Sequence, residues 1–133
     1  MTVKILILYC MIFCHIVDDY YLQGVLAKMK QKKWWEENAP QKMYRYDYIV
    51  ALIMHGFSWS FMVHLPIVVY VIMINHYDLI LPVVLFLPIQ ALIHACIDNE
   101  KANKLSINLI DDQILHFLQI IFLWLDIVVT VSA

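Results

Sequence analysis

Four long apolar segments dominate this sequence and restrict what the chain can fold into. They run from about Ile5 to Ala27, Tyr48 to Ile74, Leu79 to Ile97 and Ile107 to Val131. Each is close to the roughly 20 residues that a helix needs to cross the hydrocarbon core of a bilayer. With 63% hydrophobic and only 15% charged residues, the chain is more apolar than a typical soluble domain. The pattern predicts an all-α integral membrane protein, a single domain over residues 1–133 that folds as a four-helix bundle.

The basic residues predict how these helices are oriented. Residues 28–47 hold most of the lysines, and the link between the third and fourth helices carries Lys101 and Lys104. The link 75–78 between the second and third helices has neither Lys nor Arg. Because basic loops stay in the cytoplasm, we expect a multi-pass protein of the inner (cytoplasmic) membrane with a Lys-rich cytoplasmic loop 28–47 and both termini outside. The first segment lacks a small-residue cleavage site, so we expect it to be retained.

Ionisable side chains interrupt the apolar segments at helical spacing. The groups are His15 with Asp19 and Gln23, then His55, then His94 with Asp98, and finally Asp112 with His116. Residues four apart share one face of a helix, and such groups are rare at membrane depth unless they pair, bind something or carry protons. In the predicted topology all of them fall near the cytoplasmic ends of their helices. We therefore expect one cluster in the inner leaflet, facing the interior of the bundle.

Imidazoles and carboxylates together are typical ligands of zinc, manganese or iron(II), so the cluster predicts a divalent-metal site. The expected ligands are His15, Asp19, His94, Asp98, Asp112 and His116. A catalytic role is expected for His55, as a further ligand or general acid/base, and for Asp112 and Gln113. Gln23 and Gln113 would orient ligands or substrate, and Lys28 and Lys101 would hold a phosphate.

Whether a residue belongs to the cluster is a separate question for four others: Asp18, Asp111, His64 and His76. Asp18 is an alternative or extra ligand beside Asp19. Asp111 and Asp112 differ by about 100° around the helix, and the sequence leaves open which of them points inward. His64 is predicted on the opposite face from His55, and His76 in an outer loop, so both are expected to lie outside the cluster.

The same residues carry a resemblance to a known family. The run from His15 to Gln23, followed by Lys28, resembles the opening motif of a family of small polytopic membrane proteins from bacteria and phages, classed as a domain of unknown function. Residues 51–55, 94–101 and 111–116 are similar to its later motifs, in the same order. That family usually has a small residue where this chain has Asp18, which makes Asp19 the better candidate ligand. The resemblance implies no activity, and a likeness to membrane-bound metal-dependent hydrolases is an analogy.

The leading hypothesis is a metal-dependent membrane hydrolase that acts on a lipid or isoprenoid phosphate. The alternative is a non-enzymatic membrane protein: an ion or proton pathway along the stripe that reaches Asp126, or an effector that oligomerises or binds a host membrane protein. A third reading treats the cluster as a hydrogen-bonded scaffold. Membrane lipid is the expected partner, and the net charge of −2 argues against nucleic acid.

Overall fold

The computed structural model describes residues 3–131, apart from the side chain of Val128. Within that range the chain is helical and has no strand, which confirms the all-α prediction. The helices are α1 (Val3–Ile16), α2 (Leu26–Met29), α3 (Lys32–Asn38), α4 (Asp47–Met73), α5 (Ile80–Asn99) and α6 (Leu109–Thr130). Residues 1–2 and 132–133, and with them the predicted position of both termini, lie outside the described residues.

The first helical segment ends earlier than the sequence predicts. A π-helical turn, Val17–Leu22, continues α1, and the prediction that the helix runs to Ala27 is wrong. Gly24 then adopts a positive φ of 51°, a conformation that glycine reaches without steric cost. The chain turns there into α2 and α3, so the predicted loop 28–47 is largely helical. A second π-helical turn, Glu100–Lys104, extends α5 beyond the predicted end at Ile97.

Three helical stretches among the described residues are long and apolar enough to cross a membrane. They are Val3–Leu22, Lys42–Met73 and Tyr77–Lys104. Large aromatic side chains project outward from these helices; Phe13, for example, is 66% exposed. A continuous apolar exterior of this kind is unusual for a monomeric soluble protein. The fourth span, α6, is 22 residues long, and its passage through the bilayer stays a prediction.

Close packing of α4 against α5 aligns two of the helices that carry the polar cluster. Gly56 faces the backbone carbonyl of Ala91 and the Cβ atom of Ala95. Small residues at such a crossing let the two backbones approach closely, as in many membrane helix pairs.

Polar and apolar contacts attach α6 to the other helices. The Gln119 side-chain amide donates to Gln90 Oε1 at 2.6 Å on α5, and the Trp124 indole donates to the backbone carbonyl of Lys4 at 2.8 Å. The half of the bundle away from the cluster is filled by apolar side chains: Ile7, Met11, Trp59, Val63, Ile67, Val71, Val83, Ile120, Leu123 and Ile127. Most of the buried ionisable residues therefore lie at one end of the molecule, and Ser60, His64, Gln90 and Gln119 are the buried polar residues described in the other half.

The α4–α5 contact predicts the effect of a single methyl group. In Gly56→Ala the new Cβ would overlap the Ala91 carbonyl, and the helices must separate. Overpacking of this kind costs typically about 1–3 kcal/mol. We expect thermal unfolding in detergent to show this loss, whereas Met54→Ala on the outward face of α4 should change stability much less. Equal stability of Gly56→Ala and the wild type would contradict the close approach.

Candidate metal centre

Four helices bring their polar side chains together at one end of the bundle. The segments that meet there are the end of α1 with its π-turn, the first half of α4, the last turns of α5 and the first turns of α6. The buried ionisable residues at this end are His15, Asp18, His55, His94, Asp98, Asp112 and His116, all at most 4% exposed. Asp19 joins them, with a side chain 6% exposed. The residues that the sequence groups by helical phase are thus neighbours in space.

The centre of the cluster is formed by two imidazoles and two carboxylates. His55 Nε2 lies 3.1 Å from Asp19 Oδ1, 3.1 Å from His94 Nε2 and 3.4 Å from Asp98 Oδ2. His94 Nε2 lies 3.7 Å from Asp19 Oδ1 and 3.8 Å from Asp98 Oδ2. Asp19 belongs to the π-turn that continues α1, His55 to α4, and His94 and Asp98 to α5.

The spacing of these four atoms suits a metal ion. With metal–ligand bonds of about 2.0–2.2 Å, ligand atoms in a tetrahedral zinc site lie about 3.3–3.6 Å apart. The separations of His55 Nε2 and His94 Nε2 from each other and from the two carboxylates, 3.1–3.8 Å, span that value. Asp19, His55 and His94 each offer a ligand atom within 4.8 Å of the others. Two neutral imidazoles and two carboxylates are a donor set that fits zinc, manganese or iron(II).

Asp18 lies next to His55, on the side of its ring that faces away from this centre. Its Oδ2 atom lies 3.5 Å from His55 Nδ1, on the side of the ring opposite Nε2, and its Oδ1 atom accepts a 2.6 Å hydrogen bond from Ser58. The two atoms form no hydrogen bond at this distance, but the carboxylate faces Nδ1, and a proton on Nδ1 would leave the Nε2 lone pair for a metal. Asp18 is therefore placed to orient His55, and Asp19, not Asp18, belongs to a group that could hold a metal ion.

His15, which the sequence predicts as a ligand, has both ring nitrogens occupied. The Trp59 indole donates to His15 Nδ1 at 2.7 Å, which leaves the ring proton on Nε2. That nitrogen lies 3.2 Å from Gln113 Oε1, the acceptor that this tautomer needs. His15 thus orients Gln113, and its ring is not free to bind a metal in this arrangement. The expectation of a His15 ligand is corrected accordingly.

A second group of ligand atoms surrounds His116. Its Nε2 atom lies 3.4 Å from Asp98 Oδ1 and 3.5 Å from Asp112 Oδ1. Both nitrogens of His116 and Asp112 Oδ1 are buried without a hydrogen-bond partner. Buried polar atoms of this kind are costly unless something satisfies them. The other Asp112 oxygen, Oδ2, accepts hydrogen bonds from Lys101 at 2.7 Å and Gln113 at 3.0 Å.

Lys30 also enters the cluster, from the turn between α2 and α3. Its Nζ atom lies 2.5 Å from Asp98 Oδ2. Asn103 holds this turn in place, because its amide donates to the Lys30 carbonyl at 3.0 Å and its Oδ1 accepts from the Lys32 N–H at 2.6 Å. The second π-turn therefore fixes the position of Lys30.

The charges of the cluster favour a divalent cation. Four carboxylates (Asp18, Asp19, Asp98 and Asp112) face two ammonium groups (Lys30 and Lys101). With neutral imidazoles, four negative charges against two positive ones leave a net charge of −2. An uncompensated ion in a low-dielectric site costs several kcal/mol. One divalent cation would cancel the excess, and two protonated histidines would be the metal-free alternative.

A polar cavity of about 390 Å³ opens beside the ligand atoms. Its polar wall is formed by Asp19, Gln23, Lys30, Asp98, Lys101 and Gln113. The Gln23 amide donates to the backbone carbonyl of Asp19 at 2.7 Å, which places it at the cavity edge. Lys28, predicted to hold a phosphate, does not line this cavity. Lys30 occupies the corresponding place, because the turn after α2 directs it inward.

Several polar residues lie away from the centre. His64 is buried, with Nδ1 2.7 Å from the Ser60 carbonyl, and His76 is half exposed near Asp78, so neither joins the cluster. Asp111 is exposed and caps α6 together with Asn108, which leaves Asp112 as the inward member of the pair. Asp126 is exposed at the other end of α6.

Sequence reasoning missed Trp59, Ser58, Lys30 and Asn103. Trp59 follows His55 by four residues on α4, so helical phase alone could have placed it on the same face. Lys30 is one of several lysines in residues 28–42, and no local signal distinguishes it. It reaches the cluster because the chain turns at Gly24 and because Asn103 hydrogen-bonds to the backbone of Lys30 and Lys32.

A scan against protein-family models matches none of them, and neither the curated proteins nor the solved structures give a significant match. The family resemblance suggested by the motifs therefore stays a prediction.

The role of Asp18 predicts a specific loss of metal affinity. Replacing a carboxylate that orients a ligating histidine typically weakens metal binding by about 10–100-fold. We expect Asp18→Asn to weaken Mn²⁺ or Zn²⁺ binding in this range, as measured by competition with a chromophoric chelator. Asp111→Asn should bind metal like the wild type, because Asp111 lies at the exposed cap of α6. Unchanged affinity in Asp18→Asn would contradict the orienting role.

Proposed function

We propose that this protein is a metal-dependent integral membrane hydrolase, acting on a lipid or isoprenoid phosphate from the cytoplasmic side of the inner membrane. The proposal depends chiefly on one observation: Asp19 and Asp98 belong both to the ligand set and to the wall of the polar cavity. A substrate in the cavity would therefore contact the metal directly.

The composition of the cavity wall supports an anionic headgroup. Lys30 and Lys101 contribute ammonium groups, and Gln23 and Gln113 contribute amide donors. This combination suits phosphate, whose oxygens accept several hydrogen bonds and carry negative charge. The volume of about 390 Å³ lies in the range usual for small-molecule sites.

An apolar groove beside the cavity supports a hydrocarbon chain on the substrate. The groove lies between α1 and α6, has a volume of about 480 Å³ and is lined by Ile16, Tyr20, Tyr21, Gln113 and Phe117. Tyr20 and Gln113 also line the polar cavity, so the two spaces are contiguous. In a membrane this groove would face the acyl chains, and a lipid could enter it sideways with its headgroup in the cavity.

The chemistry expected is hydrolysis of a phosphate ester. A divalent metal held by Asp19, His55, His94 and Asp98 would act as a Lewis acid and lower the pKa of water. The oxygen of a water molecule would bond to phosphorus, the bond from phosphorus to the lipid oxygen would break, and a proton would pass to the departing alcohol. Lys30 and Lys101 would hold the phosphate, and Gln113, itself oriented by His15, would position it.

A path for ions across the membrane has less support. The polar cluster is separated from Asp126 by the apolar core, whose members Val63, Ile67 and Ile120 are completely buried. The buried polar side chains in that half, Ser60, His64, Gln90 and Gln119, bond to one another or to the backbone, whereas a conducting path would need a continuous polar or water-lined route.

The hydrolase proposal predicts metal-dependent release of phosphate. Purified protein in detergent, supplied with Mn²⁺ or Zn²⁺, should release inorganic phosphate from phosphatidic acid or from a polyisoprenyl phosphate, and a chelator should stop the reaction. We expect His94→Gln to lower the rate by on the order of 100-fold or more, because it removes a metal ligand. The measurement is colorimetric phosphate release over time.

Two controls make the result specific. His76→Gln should keep full activity, because His76 lies far from the cluster, and glycerol phosphate should be a poor substrate, because it lacks a chain for the groove. Full activity in His94→Gln, or no release with any metal and either lipid, would count against a hydrolase. Ion flux through liposomes containing the protein would instead favour the transport alternative.

A further inference from the structure

The Asp98 carboxylate faces two separate groups of ligand atoms. Its Oδ2 atom lies 3.4 Å from His55 Nε2 and 3.8 Å from His94 Nε2. Its Oδ1 atom lies 3.4 Å from His116 Nε2. A carboxylate with each oxygen directed at a different imidazole group is arranged to bridge two cations.

The rings of His94 and His116 lie next to each other. Their centroids are 4.1 Å apart and their planes differ by 27°, and both present Nε2 to the same carboxylate. Ligand atoms of the two rings and of Asp98 lie within 4.8 Å of one another. Metal ions in two-metal hydrolytic sites lie about 3.5–4 Å apart.

The atoms around His116 form an incomplete polar site. His116 Nε2 and Asp112 Oδ1 are 3.5 Å apart, belong to side chains at most 1% exposed, and have no hydrogen-bond partner. Asp98 Oδ1 and Asp112 Oδ1 lie 3.4 and 3.5 Å from His116 Nε2, and His116 and Asp98 also form a three-ligand group with His94, a residue shared with the first group. Buried donors and acceptors that converge without partners indicate a missing ligand.

We propose that the protein holds two divalent metal ions bridged by Asp98. One would bind Asp19, His55, His94 and Asp98 Oδ2, and the second would bind Asp98 Oδ1, Asp112 and His116. This inference rests on the proposed function, because it adds a second ion to the same centre.

The charge of a two-metal centre also specifies the substrate more narrowly. Two divalent ions change the net charge of the cluster from −2 to +2. A dianionic phosphate monoester in the adjacent cavity would restore neutrality, whereas a neutral ester or amide would not. The two-metal form therefore favours phosphomonoesters, and two-metal sites stabilise both the attacking and the leaving oxygen in such reactions.

Manganese provides a direct test. Purified full-length protein is stripped with a chelator, loaded with Mn²⁺ and freed of excess metal, and bound manganese per chain is measured by elemental analysis. We expect two ions per chain and an electron paramagnetic resonance spectrum of exchange-coupled Mn²⁺. His116→Gln should reduce the stoichiometry from two to one and restore the spectrum of isolated Mn²⁺. His76→Gln should keep two coupled ions.

The outcomes separate this inference from the proposed function. One uncoupled Mn²⁺ per wild-type chain would overturn the second site and leave a single-metal hydrolase standing. No bound Mn²⁺, together with no metal-dependent phosphate release, would overturn both. Should His116→Gln fail to fold, as judged by gel filtration and circular dichroism, the stoichiometry and spectrum of the wild-type protein decide the question by themselves.

Discussion

An excess of buried carboxylates is the physical constraint on which this structure depends. Asp18, Asp19, Asp98 and Asp112 lie within an apolar bundle, where an unpaired charge costs several kcal/mol. Each therefore has a nearby imidazole, ammonium or hydroxyl group. Ordinary interhelical hydrogen bonds in membranes contribute only about 0.6 kcal/mol each. A divalent cation, which these His and Asp groups could hold, would offset the excess negative charge.

The irregular parts of the chain serve this cluster. The π-turn Val17–Leu22 brings the adjacent residues Asp18 and Asp19 inward together, although neighbouring residues on a regular α-helix point about 100° apart. The second π-turn, Glu100–Lys104, carries Lys101 and Asn103 to the same end. Such turns are frequent at functional sites. The first turn contains Asp18 and Asp19 and the second begins two residues after Asp98, so backbone geometry and the site are connected.

Much of the site could be predicted from the sequence, because its signal is local. His94 with Asp98 and Asp112 with His116 are each four residues apart, and topology alone placed them at a common depth. The contacts of Lys30, Trp59 and Asn103 could not be predicted, since they depend on how separate helices meet. The same limit explains His15: its spacing to Asp19 is typical of a ligand pair, yet the Trp59 indole occupies its Nδ1 atom.

The division of the bundle into a polar and an apolar half restricts how the site can be reached. Trp59 lies at the boundary, with its indole N–H directed to His15 and its ring stacked on His94 at 4.2 Å. Beyond it the core is apolar and completely buried at Val63 and Ile67, and the polar side chains of that half, such as Gln90 and Gln119, bond to each other. Under the proposed function, metal, water and substrate would reach the site from the end that carries Lys30 and Lys101, where the polar cavity opens. In the proposed hydrolase, a one-sided site of this kind would act on a molecule in one leaflet without opening a path for ions.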